Sequence, residues 1–400
     1  MDIEDIILAA RRLEGQIVRT PCVRSDTLSR LLGCELYIKF ENQQFTASFK
    51  ERGALNCLLC MPEDARKRGV IAMSAGNHAQ ALAYHGTRLG VPTTIVMPRT
   101  TPNAKVEQTR VHGAEVLLHG NQFEATRQFT YAAARDRGLT LVHPFDDPQV
   151  IAGQGTVGLE IAEQVPDAEI LVVPVGGGGL ISGVATAAAA RLPGCEVVGV
   201  QVERFDGAVR SLLDEPPRVS RFGTVAEGIA VKTPGEKTMP IIRRHVAEIL
   251  TVDENAVEQA VFSLLEIEKT VAEGAGATPL AAGAAHPARF AGKKVVMVLS
   301  GGNIDMMILS SVLQRGLVRS HRLVRLKVEI PDVPGALADL TQQLGALDSN
   351  IVDIEHQRAF GPSSVRATIV ELVLQMRGEE QVDKVLAALA AEGYEASLIA

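Results

Sequence analysis

Short apolar, β-branched runs alternate with Ala- and Leu-rich helical patterns through most of this 400-residue chain. The runs ELYIKF, GVIAM, TTIVM, AEVLL, EILVVPV, EVVGVQV and KKVVMVLS have the continuous apolar character of parallel strands that are buried on both faces. Between them, residues 77–89, 149–164 and 256–269 have the length and composition of helices. Because strands that alternate with helices build βαβ units, the pattern predicts an α/β fold with mostly parallel sheets.

The order of elements changes after the segment QRGLVRSH. From residue 322 onward, the sequence predicts strand RLVRLKVEI, helix GALADLTQQLGAL, strands NIVDIEHQR and RATIVELVLQM, helix EEQVDKVLAALAAE and strand YEASLIA. This βαββαβ order is that of a ferredoxin-like fold. Because the chain is also too long for one ordinary core, we expect two domains, at 1–318 and 322–400.

Composition argues against several classes of partner. A net charge of −7 disfavours binding to nucleic acid, which normally needs a basic surface. The long uncharged run at 170–190 contains Pro174 and four glycines, so a buried strand, loop and helix are expected there rather than a membrane span. Five cysteines without a disulfide spacing suit a reducing cytoplasm, and Cys57 and Cys60 are interpreted as structural.

A run of four glycines, residues 176–179, follows one predicted buried strand and precedes a helix. Such a backbone can approach a phosphate closely and surround it with N–H donors. The spacing matches neither G-x-G-x-x-G nor a Walker motif, so we expect a phosphate site without a dinucleotide or nucleoside triphosphate. The alternative is a flexible turn, but ordering each glycine costs about 0.5–1 kcal/mol relative to alanine, so a ligand explains the run better.

Two other predicted strands end in small and polar residues. The strand GVIAM leads into SAGNH, residues 74–78, where a helix begins and its first N–H groups can cradle a carboxylate. The strand KKVVMVL leads into SGGN, residues 300–303, at the edge where open α/β sheets bind ligands. Ordinary helix N-caps are the alternative interpretation of both segments.

Lys50 lies in the segment FTASFKERGAL, at the start of a helix predicted to end near residue 59. The positive end of that helix and apolar neighbours such as Phe49 disfavour the ammonium form and so lower the pKa of Lys50. A neutral lysine attacks carbonyl groups, which makes Lys50 a Schiff-base candidate. The alternative is a solvated lysine beside Glu51 and Arg52, which this segment taken alone favours.

The phosphate loop, the carboxylate cradle and the activatable lysine together fit an amino acid bound to pyridoxal phosphate. In this order, SFKERGA, SAGNHAQ, GGGGLISG and SGGN resemble the fold-type II pyridoxal-phosphate enzymes, above all their serine/threonine dehydratase (threonine ammonia-lyase) branch. The resemblance implies a tryptophan-synthase-β-like catalytic domain of two lobes, with the smaller lobe at roughly 43–143. It also implies the cofactor pyridoxal 5'-phosphate and β-elimination of L-threonine to 2-oxobutyrate and ammonia, and of L-serine to pyruvate.

The resemblance also assigns roles by position. Lys50 would be the Schiff-base lysine and the base that removes the α-proton, with Phe49 packed beside the ring. Asn77 would hydrogen-bond the 3′-oxygen of the pyridine ring, and Ser300 would face the ring nitrogen. The phosphate would be held by Gly176, Gly177, Gly178, Gly179 and Leu180. The substrate carboxylate would be held by Ser74, Ala75, Asn77 and His78.

A serine beside the ring nitrogen has a chemical consequence. Its hydroxyl cannot keep that nitrogen protonated, so the ring is a weaker electron sink and prompt loss of the β-hydroxyl is favoured over a long-lived carbanion. In the family, the cofactor phosphate is the expected proton donor to the leaving hydroxyl. Glu273 matches an acidic position near the cofactor, although an ordinary glutamate at a helix end is an equal alternative.

Departures from the family pattern bear on two other activities. Serine racemases have a serine where this chain has Ala75, and alanine cannot transfer the proton that racemisation needs. Some relatives bind a divalent cation through carboxylates that follow the strand EVVGVQV. Here the first such position is Gln201, with Glu203 and Asp206 nearby, so we expect no metal site.

The C-terminal segment IPDVPGALADLTQQLGALDSNIVDIEHQR resembles an ACT regulatory domain. The resemblance implies a small amino-acid effector, isoleucine or valine, and an assembly of two or four copies through paired ACT domains. The effector residues would be Asp332, Gly335, Ala336, Asn350 and Ile351. A domain that only dimerises is the alternative.

Three other functions stay open on the sequence. The substrate of the same elimination could be another β-hydroxy amino acid, such as 3-hydroxyaspartate or phenylserine. The chain could be a serine racemase. It could also be a catalytically silent amino-acid sensor, although a sensor needs neither Lys50 nor the glycine loop.

Overall fold

A computed structural model describes residues 1–218, 220–357 and 365–399 of the chain. The chain divides into two compact units, Met1–Asp305 and Met306–Ala400. Helix α15 (Met306–Arg319) belongs to the second unit.

The first unit contains a large sheet whose described strands are, in order across the sheet, β1 (Cys22–Arg24), β2 (Glu35–Phe40), β10 (Lys294–Leu299), β7 (Ile170–Pro174), β8 (Glu196–Val202) and β9 (Glu248–Val252). Strand β1 is antiparallel to β2, and the other neighbours are parallel. All five residues of β7 are buried, as its continuous apolar sequence predicts. Because β7 and β10 are parallel neighbours, the glycine loop and Ser300 emerge at the same edge of this sheet.

A smaller parallel sheet in the same unit has the order β5 (Glu115–Leu118), β4 (Thr93–Met97), β3 (Val70–Met73) and β6 (Thr140–Leu141) among the described residues. Strand β3 leads into residues 74–78. Its neighbour β6 leads into residues 142–146, a segment that sequence reasoning did not single out. These two segments therefore leave the sheet side by side.

Helices surround both sheets. Those of the first unit are α1 (Ile3–Leu13), α2 (Asp26–Leu32), α3 (Lys50–Cys60), α4 (Glu63–Arg68), α5 (Asn77–Arg88), α6 (Asn103–Val111), α7 (Phe123–Asp136), α8 (Pro148–Gln164), α9 (Gly179–Arg191), α10 (Gly207–Leu212), α11 (Thr238–His245), α12 (Glu254–Glu268), α13 (Gly274–Ala285) and α14 (Pro287–Phe290). Helix α8 shows why such a sequence begins a helix: the Asp147 carboxylate accepts from the N–H groups of Gln149 and Val150, and proline occupies the first position.

The uncharged run at 170–190 forms β7, the glycine loop and most of α9. Within the described part of the chain, no helix combines the length and the apolar character needed to cross a bilayer.

The second unit continues with β11 (Leu323–Pro331), α16 (Ala336–Ala346), β12 (Asn350–Gln357), β13 (Ala367–Gln375), α17 (Glu379–Ala391) and β14 (Glu395–Ile399). The described strands form one antiparallel sheet in the order β12-β13-β11-β14. Leu340, Leu344, Val385 and Leu389 of the two helices are buried in the core beside this sheet. The predicted fold class, an α/β unit followed by a βαββαβ unit, is confirmed.

Candidate active site

Lys50 is the first residue of α3, and its side chain is half-buried. The amine donates a 2.7 Å hydrogen bond to the carbonyl oxygen of Pro144 and lies 5.1 Å from the centre of the Phe49 ring. Burial lowers the pKa of Lys50 to about 8, although the nearby Glu273 carboxylate acts in the opposite direction. Near neutral pH, the amine is therefore close to the point at which it becomes a nucleophile and a base.

The segment before Lys50 is tied to the end of strand β10. The Phe49 N–H donates to the Ser300 carbonyl at 3.0 Å, and the Gly302 N–H donates to the Ala47 carbonyl at 2.9 Å. Ser48 and Gly301 form a β-bridge between these contacts. Lys50 is thus fixed to the sheet edge at which the buried Ser300 lies.

The neighbours of the glycine loop leave no room for side chains at several of its positions. A Cβ at Gly177 would overlap the Phe145 ring, and a Cβ at Gly179 would lie 2.9 Å from the Phe145 carbonyl oxygen. Gly178 has the left-handed φ of +94°, and the Gly177 carbonyl accepts from the Thr238 hydroxyl at 2.7 Å. The loop is therefore packed rather than flexible.

The N–H groups of this loop are available to a ligand. From Gly176 to Leu180, none of them donates to another described residue, although residues 177–180 are buried. Buried backbone donors are almost always paired in folded proteins. Several unpaired donors at the start of α9 therefore fit an anion such as a phosphate.

A second group of donors lies at the start of α5. Within the described residues, the N–H groups of Ala75, Asn77 and His78 form no hydrogen bond, while the Ser74 hydroxyl accepts from the Gly76 N–H at 3.3 Å. This geometry could hold a carboxylate through backbone donors. The His78 Nε2 lies 3.1 Å from the Val142 carbonyl, and burial lowers the pKa of His78 to about 3, so its ring is neutral.

Asn77 is oriented by two polar neighbours. Its side-chain oxygen accepts from Asn303 at 2.8 Å, and its nitrogen donates to the Glu273 carboxylate at 2.8 Å. Burial raises the pKa of Glu273 to about 7, so this carboxyl group can change its proton content near neutral pH. Asn303 is not a helix N-cap, because the next helix begins at Met306.

Sequence reasoning missed the segment that connects these features, residues 142–146. Pro144 accepts from Lys50, and Phe145 packs on Gly177 and Gly179. The His143 Nδ1 holds the segment by accepting from the Asp146 N–H at 2.8 Å. No motif marks this segment. Its position directly after the short strand β6 is the one feature from which its place at the site could have been predicted.

A buried ionic cluster beneath α3 was also missed. Arg52 donates to both oxygens of Glu41 at 2.7 Å and to Glu160 at 2.6 Å, while Lys39 donates to Glu160 at 2.5 Å. The side chains of Arg52, Glu41 and Lys39 are fully buried. Arg52 lies within the motif SFKERGA, but its partners are 11 and 108 positions away, so the sequence did not reveal them.

The Gln201 side chain is engaged in structural hydrogen bonds. Its oxygen accepts from the N–H groups of Ala208 and Val209, and its nitrogen donates to the Val175 carbonyl at 3.1 Å. Across the described ranges, no cluster of three or more histidine, cysteine or acidic side chains could hold a metal ion.

The five predicted effector residues lie in the second unit. Asp332, Gly335 and Ala336 form the turn into α16, where Gly335 has a φ of +96°, and Asn350 and Ile351 begin β12. The Asp332 N–H donates to the Arg366 carbonyl at 2.9 Å.

The residues around Lys50 fit pyridoxal phosphate. The unpaired N–H groups of the glycine loop could hold its phosphate, and the Lys50 amine could bond its aldehyde carbon. Asn77 and Ser300 could contact the polar atoms of its ring. Sites of this kind combine a preformed anion cradle with a lysine of lowered pKa.

The chain is similar to proteins of known families. Residues 13–301 match the family model described as "Pyridoxal-phosphate dependent enzyme". The chain is 43% identical to "L-threonine ammonia-lyase" of Thermotoga maritima over 99% of both chains. It is 44% identical to the protein of the same name from Geobacter sulfurreducens over 96% of both.

Solved structures give a consistent result. The T.th. threonine deaminase superimposes with a TM-score of 0.73 at 41% identity, covering 76% of this chain and 99% of that one. The serine racemase of Dictyostelium discoideum superimposes with a TM-score of 0.71 at 36% identity, covering 76% and 99%. With Lys50, the glycine loop and the matched region in agreement, the chain belongs to the family of pyridoxal-phosphate-dependent enzymes.

Proposed function

We propose that this chain is an L-threonine ammonia-lyase, which converts L-threonine to 2-oxobutyrate and ammonia and also L-serine to pyruvate. The observation that carries the reaction class is the contact of Lys50 and of the glycine loop with one segment, Pro144–Phe145. The substrate is supported by relatives of that name at 43% and 44% identity over almost the whole chain.

When bound, pyridoxal phosphate supplies an electron sink that is conjugated with the α-carbon of the amino acid. The N–H groups of Ala75, Asn77 and His78 hold the α-carboxylate, which fixes the direction of the α-hydrogen. The neutral Lys50 amine then accepts the α-proton, because a base with a pKa of about 8 is effective near neutral pH. The β-hydroxyl leaves as water after gaining a proton, so that one proton is lost from the α-carbon and one is returned to the leaving oxygen. Hydrolysis of the released enamine then gives the 2-oxo acid and ammonia.

Two further polar side chains, those of Ser300 and Asn77, would contact the ring of the bound cofactor. Ser300 would offer the ring nitrogen of the bound cofactor a hydroxyl instead of a carboxylate, so the ring would be a weaker electron sink. Asn77 is held between Asn303 and Glu273, so its amide presents a fixed orientation to the ring.

Release of 2-oxobutyrate from L-threonine by the cofactor-loaded protein tests this function. Lys50→Ala should lower the rate by about a hundredfold or more, because the variant loses a general base. The control is Lys67→Ala, which removes an exposed lysine and should leave the rate unchanged. A Lys50→Ala protein that retains a large part of the activity would overturn the assignment.

A substrate panel separates the related functions. Turnover of 3-hydroxyaspartate or phenylserine without turnover of threonine would reassign the substrate. Racemisation of serine faster than its elimination would favour the racemase activity that the Dictyostelium discoideum structure suggests. We expect slow racemisation, because the Ala75 side chain has no hydroxyl to deliver a proton.

The C-terminal residues 322–400 form an ACT regulatory domain in this proposal, after a catalytic domain at 1–318. Its support is the βαββαβ order and the antiparallel sheet order β12-β13-β11-β14. The effector, isoleucine or valine, binds at the turn before α16 and the start of β12, and paired domains assemble a homodimer or homotetramer. The five free cysteines support a cytoplasmic setting.

A further inference from the structure

Glu51, the residue after Lys50, is fully buried, and each of its carboxylate oxygens has a polar partner. Oε1 accepts a short hydrogen bond from the backbone N–H of Thr46. Oε2 lies 3.1 Å from the Nε2 of His85, which is also fully buried. Removing a charge from water is unfavourable unless it is well paired, so this arrangement calls for an explanation.

The Glu51–His85 contact joins two helices that carry the site. Glu51 lies in the first turn of α3, which begins at Lys50. His85 lies in α5, which begins at Asn77. The contact therefore fixes the position of Lys50 relative to the carboxylate cradle.

The segment that Glu51 holds is strained. Ala47 has a φ of +53°, a left-handed conformation that residues other than glycine rarely adopt. Such a conformation persists when its surroundings impose it, and here the restraint acts on the adjacent residue, Thr46. Glu51 binds the Thr46 N–H, and Asn303 donates to the Thr46 carbonyl at 2.8 Å.

The same hydrogen bonds reach Asn77. Asn303 donates both to the Thr46 carbonyl and to the Asn77 side-chain oxygen. Displacement of residue 46 would therefore disturb two groups, Lys50 through the chain and Asn77 through Asn303.

We propose that Glu51, supported by His85, is a positioning residue that holds the strained segment 44–49 and thereby presents Lys50 to the cofactor. The expected change in kcat for threonine rests on the proposed threonine activity. The expected change in the rate of cofactor capture does not depend on that activity.

The test compares Glu51→Leu, Glu51→Gln and the control Leu58→Ala. The leucine variant removes both hydrogen bonds. The glutamine variant keeps an oxygen for the Thr46 N–H and an amide that the His85 ring can accept from. Leu58 is fully buried in the same helix but makes none of these hydrogen bonds, so its truncation measures destabilisation alone.

Four quantities are measured for each protein: the rate at which the apo-protein captures pyridoxal phosphate, kcat and KM for threonine, and the midpoint of unfolding in urea. For Glu51→Leu we expect capture and kcat to fall about ten- to a hundredfold, because a small misplacement of Lys50 costs that much. KM should change by less than about threefold, since the carboxylate is held by backbone N–H groups and the loss of Glu51 disturbs Asn77 only through its side chain. Glu51→Gln should remain within about threefold of wild type in both rates, because it keeps the geometry.

A Glu51→Leu protein whose capture rate and kcat equal those of the wild-type protein would overturn the proposal. So would an equal slowing of capture in Leu58→Ala at a matched loss of stability, because Glu51 would then act only on folding. If Glu51→Leu does not fold, hydrogen exchange of the Thr46 amide in the wild-type protein decides: protection is expected, and rapid exchange contradicts the hydrogen bond to Glu51. A wild-type protein inactive on threonine would refute the proposed function, while the capture rates would still test the role of Glu51.

Discussion

At the scale of single residues, the half-buried Lys50 and the buried Glu273 have pKa values that lie close together. Burial lowers the pKa of Lys50 to about 8 and raises the pKa of Glu273 to about 7, because each environment disfavours the charged form. The Glu273 carboxylate, once ionised, stabilises the Lys50 ammonium. The ionised Glu273 carboxylate therefore raises the pKa of Lys50. This electrostatic coupling can be measured before any substrate is added.

We expect capture of pyridoxal phosphate by the apo-protein to accelerate as the pH rises and to level off above a midpoint near 8. The neutral amine is the reactive form, and its fraction grows through the pKa of Lys50. Glu273→Gln should shift this midpoint downward, because the ammonium loses a stabilising negative charge. Visible absorption after mixing, from pH 6 to pH 10 in steps of about one unit, records the midpoint.

The control for this titration is Glu63→Gln, which removes a carboxylate that is 75% exposed. It should leave the midpoint where it is. An unchanged or higher midpoint in Glu273→Gln would contradict the electrostatic coupling.

At the scale of elements, helix α3 is held in place by charge as well as by apolar packing. Arg52 is paired with Glu41 and Glu160, which belong to the segment after β2 and to α8. Burial alone would lower the pKa of Arg52, but the two carboxylates outweigh it and raise that pKa instead. This cluster fixes the helix body, while residues 44–49 fix its first residue, Lys50.

Arg52→Met should lower the free energy of unfolding by about 3–5 kcal/mol, because it removes the ion-pair partner of the fully buried Glu41. The matched control is Arg110→Met on α6, whose ion pair with Glu107 is exposed and should contribute less than about 1 kcal/mol. Urea unfolding measures both. A loss in Arg52→Met no larger than in the control would show that the cluster does not hold α3.

At the scale of the whole molecule, the chain combines a catalytic unit with a second unit of different architecture. The family model ends at residue 301, within the first unit, whereas the Thermotoga maritima relative matches 99% of this chain. Among the described strands of the second unit, β12 lies at the edge of the sheet, and its residues Val352 and Ile354 are exposed. An exposed apolar edge strand is a site at which another chain can pair.

We expect isoleucine or valine to change the rate of 2-oxobutyrate release, and the chain to sediment as a dimer or tetramer. Asp332→Ala should weaken the response to the effector by about tenfold, the cost of one hydrogen bond to a charged group. Steady-state kinetics with increasing effector measure this, with the exposed Asp383→Ala as a control on α17. If no proteinogenic amino acid alters the rate, the regulatory role is wrong.

The features that could be predicted from the sequence are those that a few adjacent residues encode. The buried parallel strands, the glycine run and the helices that begin at Lys50 and Asn77 were predicted because strand and helix signals lie within a few adjacent residues. The short strands β1 and β6, of three and two residues, were missed because they are too short to carry a period, and the five-residue strand β9 was missed as well. The segment after β6 was missed with them, although it carries Pro144 and Phe145.

The sequence by itself determined the fold class through its apolar periodicity and the pyridoxal-phosphate chemistry through motifs that resemble a known family, and it predicts Lys50 as the lysine that carries this chemistry. Only the tertiary structure decided what surrounds that lysine. The contacts of Lys50 with Pro144, of Asn77 with Glu273 and of Arg52 with Glu160 span 94, 196 and 108 positions of sequence. Burial then sets the charge states of these groups, and burial is a property of packed elements that no local pattern of residues contains.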